Sequence, residues 1–199
     1  MKKKIIIVLV IVIIILISGI IVYSQDNLRF KLTYESLNRI EYTNGKTISV
    51  EIPIDNKIEY LTGKEIKEVM KKETGIFYFG YTSCPWCRNA IGPLIEVAKE
   101  NNIKKIYYID THASSFQDVS KDVKELIGDY LETDSETGEK RLGVPDVYFI
   151  KNGEVIAHHV GTVSSYRNPY LGMNDEQKQE LKDIYQSFIE EIKKWIKIT

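Results

Sequence analysis

Cysteine is scarce in this chain: its 199 residues hold two, Cys84 and Cys87. That scarcity excludes a disulfide-built scaffold and a structural zinc site made from two CxxC pairs. A bridge across two intervening residues closes too short a loop to stabilise a fold much. The pair is therefore set apart for redox chemistry or for half of a metal site. A basic surplus is also lacking. The net charge is -1, and without Lys2, Lys3 and Lys4 the balance is 24 basic against 28 acidic side chains. No basic stripe is available for nucleic acid. Low-complexity segments and repeats at solenoid periods are absent as well, so the chain reads as one ordinary globular domain with a small appendage.

One long apolar run is present. Residues 5–17 are all Ile, Val or Leu, and the run continues through Ser18 and Gly19 to Val22. Eighteen such residues in a helix span roughly 27 Å, close to the hydrocarbon thickness of a bilayer. Lys2, Lys3 and Lys4 in front of it should stay cytoplasmic, which sends the rest of the chain outside. The expectation is a single-pass anchor over residues 5–22. The alternative is a signal segment cleaved after Ser24, which gives a secreted protein.

Residues 25–56 read as a tether followed by a β extension. Asn44-Gly45 marks a hairpin between alternating stretches over 39–52. From residue 57 onward strands and helices interleave. Ile58 to Leu61 reads as a strand, and Thr62-Gly-Lys-Glu65 as a capping box opening a helix to about Glu73. Ile76 to Tyr81 and Ile103 to Asp110 read as buried strands. Cys87, Ala90, Ile91, Leu94, Ile95 and Ala98 give a helical stripe, with Gly92-Pro93 expected to kink it. A helix is expected over 119–131 and a surface loop over 133–141. Asn152-Gly153 marks a second hairpin. Leu181, Ile184, Tyr185, Phe188 and Ile192 recur at helical spacing to the C-terminus. The order implies a mixed α/β sheet covered on both faces, preceded by a membrane segment (1–24) and an appendage (25–56), with the main domain over 57–199.

The placement of the cysteines carries chemistry. Cys84 follows a buried strand and opens a helix, where unpaired N–H groups and the helix dipole favour a thiolate. Cys87 lies one turn on, within reach of a mixed disulfide formed at Cys84. Pro85 has a preset φ and no N–H to lose, which suits the first helical position.

Phe79-Gly-Tyr-Thr-Ser-Cys84-Pro-Trp-Cys87, followed later by Gly143-Val144-Pro145 and Tyr148-Phe-Ile-Lys-Asn-Gly-Glu-Val155, resembles the thioredoxin superfamily. The Val-Pro-Asp-Val-Tyr-Phe and His-His-Val-Gly-Thr stretches are similar to the accessory thioredoxin-like proteins found beside bacteriocin export systems of Gram-positive bacteria. The resemblance covers about residues 58–198. It implies a thioredoxin fold and a thiol–disulfide oxidoreductase with Cys84 as nucleophile and Cys87 as resolving thiol. It further implies that Pro145 is a cis proline and that Val144 and Pro145 offer a platform to substrate peptide, with Trp86 as a surface contact. No metal or organic cofactor is implied, only the redox-active pair. The implied partners are exported cysteine-containing proteins or peptides and a membrane or extracellular redox partner.

The chain departs from thioredoxins at several positions. Where they carry a buried acid six residues before the first cysteine, this sequence has Tyr78. Cys-Pro-Trp-Cys stands where they have Cys-Gly-Pro-Cys, and the helix proline comes one residue later. His158 and His159 fall on opposite faces of one strand, so one is expected to pack and the other to be solvated. His112 is expected near the rim of the site, and Arg88 on an exposed helix face. A reading in a different class also stands: a non-catalytic peptide-binding module of a secretion system.

Overall fold

The computed structural model describes residues 25–196 and, before them, positions 5, 8 and 10–13. The anchor or signal expected over residues 1–24 therefore lies outside the described residues for most of its length. Among the described residues no helix is long and apolar enough to cross a membrane.

A five-stranded sheet organises the described residues. Its strands are β1 (Ile58–Tyr60), β2 (Gly75–Gly80), β3 (Ile106–Asp110), β6 (Asp146–Lys151) and β7 (Glu154–Val160), in the order β1-β3-β2-β6-β7. β3 runs parallel to both β1 and β2, while β6 and β7 are antiparallel. β2 sits at the centre, and Ile76, Phe77, Tyr78 and Phe79 are all fully buried. A strand buried on both faces needs such a continuous apolar run rather than alternation. Crossover helices join the parallel strands and put layers on both faces. The result is a mixed α/β protein with the thioredoxin arrangement: a central mixed sheet flanked by helices.

One face carries helix α3 (Pro85–Glu100), the C-terminal helix α6 (Asp175–Ile196) and helix α1 (Asp26–Ser36), packed on Ile76, Tyr78, Tyr108, Val147 and Phe149. The other face carries α2 (Glu65–Met70), α4 (Ser114–Gln117) and α5 (Ser120–Leu126), packed on Phe77, Phe79, Ile109, Tyr148 and Ile150. α6 opens with a reciprocal box, Gln177 N–H donating to Asn174 Oδ1 (2.8 Å) and Asn174 N–H to Gln177 Oε1 (3.1 Å). At α2, the Glu65 carboxylate accepts from Thr62 N–H (2.6 Å) and from its hydroxyl (2.9 Å).

Several expectations need correction. Residues 26–36 are not a tether: they form α1, which buries Phe30 and Tyr34 against Tyr108 at ring separations of 4.9 and 6.1 Å. Residues 39–52 form no strand, so the β extension is absent. Asn44-Gly45 does turn, with Tyr42 N–H on the Lys46 carbonyl (2.9 Å), but no ladder follows. The backbone of this segment is satisfied instead by side chains, chiefly Asn38 and Arg88. The helix expected over 119–131 stops at Leu126 and passes into a 3-10 turn, Gly128–Tyr130. Residues 133–141 are not all loop: β4 (Glu132–Thr133) and β5 (Lys140–Arg141) pair as a short ribbon. Its turn is held by Asp134 Oδ1, which accepts from the N–H groups of Glu136 and Thr137.

Candidate active site

Strand β2 ends at Gly80, and four residues later Cys84 caps α3 with Pro85 in the first helical position. Cys84 N–H donates to the Tyr81 carbonyl (3.2 Å), and Arg88 N–H to the Cys84 carbonyl (3.0 Å). Cys84 is the cap itself, because its Sγ accepts the Cys87 N–H at 3.2 Å. Both thiols are free, with Cys84 2% exposed and Cys87 fully buried.

The two sulfurs are electrostatically unequal. The thiol of Cys84 is held below its ordinary range, first by a hydrogen bond from the Cys87 side chain. The backbone N–H groups of Cys87 and Trp86 and the Tyr81 side chain act the same way, against the opposing effect of burial. Burial, reinforced by the neighbouring Cys84, pushes the Cys87 thiol up. Cys84 thus loses its proton more readily than Cys87, an asymmetry of the kind that disulfide exchange uses.

Tyr78 occupies the position of the missing acid. It is fully buried, and its hydroxyl donates to the Cys87 carbonyl at 2.9 Å. It fixes the backbone at Cys87 and adds no charge. Gly80 leaves room for this arrangement: a Cβ there would lie 2.8 Å from the Tyr78 ring and 3.1 Å from Cys87 Sγ.

The Val144–Pro145 peptide is cis. The Pro145 carbonyl accepts the Gly161 N–H at 2.7 Å, joining β6 to the end of β7. Val144 and Trp86 line one open cavity of about 810 Å³, together with Gly143, Val160, Thr162 and Tyr166. The residue before the cis proline and the residue between the cysteines therefore share a surface. Trp86 is half-buried there, edge-on to Tyr166 at 5.4 Å.

The remaining candidates fall into place around this centre. His112 stacks on Tyr81 at 3.6 Å, which puts it at the rim. His158 and His159 do face opposite sides of β7, but neither is simply solvated. His158 stacks on Tyr148 at 5.3 Å with Nδ1 3.4 Å from Asp146. His159 donates from Nε2 to the Thr162 carbonyl at 3.0 Å. Asp146 is buried, so it adds nothing to surface charge. Among the described residues no group of three or more His, Cys, Asp or Glu side chains could hold a metal ion.

Arg88 overturns the expectation of an exposed arginine, being 1% exposed. It belongs to the stripe of Cys84, Cys87, Ile91 and Ile95, at spacings of three and four, and this periodicity was the available signal. Its guanidinium draws the segment 34–48 against the cysteine loop. Asn89, the next residue, holds a second segment: Nδ2 donates to the Pro169 carbonyl (2.9 Å) and Oδ1 accepts from Met173 N–H (3.2 Å). The two segments meet where the Tyr42 and Tyr170 rings lie 5.1 Å apart. Tyr42 and Tyr170 carry no sequence signal for this role.

No family model matches this chain. No curated protein matches it either. Among solved structures, thioredoxin O2 from Arabidopsis thaliana is 15% identical with a TM-score of 0.43, covering 66% of this chain and 94% of its own. Thioredoxin O1 from the same plant is 21% identical at 0.39, covering 55% and 90%. A Plasmodium falciparum thioredoxin is 16% identical at 0.40, covering 65% and 97%. Scores this low carry no argument, and the arrangement of the chain rests on its own strand order and helix placement.

Proposed function

We propose that this protein is a thiol–disulfide oxidoreductase that acts outside the cytoplasm on cysteine-containing exported proteins or peptides. The observation that carries the reading is the Cys84–Cys87 pair, in which the helix-capping sulfur is favoured as thiolate and its partner is buried and protonated.

In exchange, the Cys84 thiolate attacks a substrate disulfide and forms a mixed disulfide, releasing one substrate thiolate. Cys87 then loses its proton and attacks Cys84 Sγ, which releases the second substrate thiol and leaves the Cys84–Cys87 disulfide. The reverse sequence makes a substrate disulfide. In this reading Val144 and Pro145, with Trp86, hold extended peptide; the cavity that Val144 and Trp86 both line supports it. Pro85 supports the helix start, and the chemistry calls for no metal or organic cofactor.

Location rests on the N-terminal sequence. The apolar run over residues 5–22 behind three lysines supports a single-pass anchor with the domain outside the cell, where disulfides persist. The likeness of the Val-Pro-Asp-Val-Tyr-Phe and His-His-Val-Gly-Thr stretches to bacteriocin-export accessory proteins supports exported peptides as substrates and a membrane or extracellular redox partner.

The test is exchange and trapping. Cys87→Ala should accumulate mixed disulfides with exported proteins, and these should be resolved by added dithiol. Cys84→Ser should fall to the uncatalysed rate of exchange and trap nothing. Full function in a double Cys→Ala variant would instead establish the peptide-binding module.

A further inference from the structure

The direction of electron flow is left open by that reading, and the surroundings of Cys84 bear on it. The Arg88 guanidinium donates only to neutral oxygens. Nε and Nη2 reach the Ile48 carbonyl (3.0 and 2.9 Å), and Nη1 reaches the carbonyls of Tyr34 (2.8 Å) and Thr82 (3.1 Å). Nη2 also reaches Asn38 Oδ1 (2.6 Å). Every N–H direction is used, and among the described residues no carboxylate forms an ion pair with it. Arginine stays protonated in proteins, so a whole positive charge is buried without a counter-charge.

That charge lies against the cysteine loop. The Thr82 carbonyl that Nη1 reaches is two residues before Cys84. The position that holds an acid in thioredoxins is neutral Tyr78. Tyrosines surround the pair electrostatically, namely Tyr34, Tyr42, Tyr78, Tyr81 and Tyr185, each pushed upward first by burial and so neutral near neutral pH. His112, beyond Tyr81, adds no negative charge. The anion this environment favours is a Cys84 thiolate, and a disulfide whose reduced form is stabilised is the stronger oxidant.

We propose that Arg88, caged by neutral acceptors, stabilises the reduced pair and so makes this protein an oxidant that passes its disulfide to exported dithiols. This rests on the pair being redox-active. A substrate thiolate attacks Cys84 Sγ, and Cys87 leaves and takes a proton. A second substrate thiolate then attacks the substrate sulfur of the mixed disulfide and expels Cys84 as thiolate. The substrate gives up two electrons and two thiol protons to form its disulfide, and the Cys84–Cys87 bond takes the two electrons.

The experiment equilibrates the full-length protein in detergent with glutathione and glutathione disulfide beside a thioredoxin control, and reads the redox state by alkylation. The wild type should be reduced in a buffer that holds the control as disulfide. Asn38→Asp sets a carboxylate against Nη2 and should move the equilibrium about tenfold toward the disulfide, about 30 mV. Asn38→Ala removes the same hydrogen bond without adding charge, and should stay within about threefold of wild type on that scale. A wild type that remains disulfide alongside the control overturns the proposal whatever the variants do, and so do equal shifts in Asn38→Asp and Asn38→Ala. A protein that does not exchange with glutathione at all would defeat the oxidoreductase reading itself.

Discussion

The hydroxyl of Tyr42 donates to the carbonyl of Ser83 at 3.1 Å, across forty-one residues of sequence. Ser83 immediately precedes Cys84, so a segment upstream of the sheet is fastened beside the reactive sulfur. Arg88 holds the base of that segment, and Tyr170 meets its tip. This contact accounts in part for a Cys84 thiol that is only 2% exposed.

Tyr42→Ala should therefore open the site. Alkylation of Cys84 by a bulky maleimide is expected to quicken about tenfold, while a small alkylating agent gains less. The bond lies on the exposed surface, so the melting temperature should move little. Equal rates in wild type and variant, with either reagent, would show that the clasp does not restrict access.

The thiols set a pH dependence for the reduced protein, and its two parts have opposite signs. Cys84 is depressed in the fold, so it adds stability as pH rises toward the unfolded value, about 8.5, and loses it as pH falls through the folded value. Cys87 is raised, so its contribution is complete below about 8.5 and is lost as pH rises above it. Denaturant titrations of the reduced protein should show a thiol-dependent stability maximum where the two meet, near the unfolded value of about 8.5. Cys84→Ser should flatten the acidic side, and Cys87→Ala should remove the alkaline side and also weaken the acidic one, because the Cys87 side chain is the first cause of the Cys84 depression. A profile unchanged by Cys84→Ser would contradict the thiolate assignment.

Asp146 is a buried carboxylate, 3.4 Å from His158, and burial raises its pKa. A raised carboxylate contributes stability below its unfolded value and loses it as pH rises through the folded value. Asp146→Asn keeps an acceptor for His158 and removes the buried charge. The variant should gain melting temperature over wild type at pH 7, and the gain should shrink toward pH 3. A constant difference across that range would mean the charge is not what costs stability.

The parts of this structure that were legible in sequence are those set by local pattern. Ile76 to Tyr81 is apolar on both faces and lies at the sheet centre. Cys84 followed by Pro85 marks a helix start without ambiguity. The parts that were not legible depend on distant partners. Residues 26–36 are mostly polar, and only Phe30 and Tyr34 commit them to a helix, through contact with Tyr108 far along the chain. Residues 39–52 alternate like strands, yet their carbonyls go to side chains rather than to a ladder: Ile48 to the Arg88 guanidinium, Val50 to Asn38 and Ile52 to Lys31. Arg88 reads as exposed because burial of an arginine is rare unless every donor is met, and its acceptors come from four separate positions in the chain.

Gly153 closes the β6–β7 hairpin at φ +82°, and its N–H donates to the Glu73 carbonyl at 3.2 Å. Two independent costs meet there. A side chain is strained at that φ whatever the space. A Cβ would also lie 2.0 Å from the Lys71 carbonyl oxygen, a backbone atom that cannot rotate away. Gly153→Ala must therefore push the hairpin off the end of α2, and should cost on the order of 3 kcal/mol or more, read by denaturant unfolding. Gly92 provides the contrast. It is inside α3 with nothing within 4 Å of an added Cβ, so Gly92→Ala should stabilise by about 0.5–1 kcal/mol through helix propensity. Similar small effects at both positions would mean that the hairpin is not packed against the end of α2 as described.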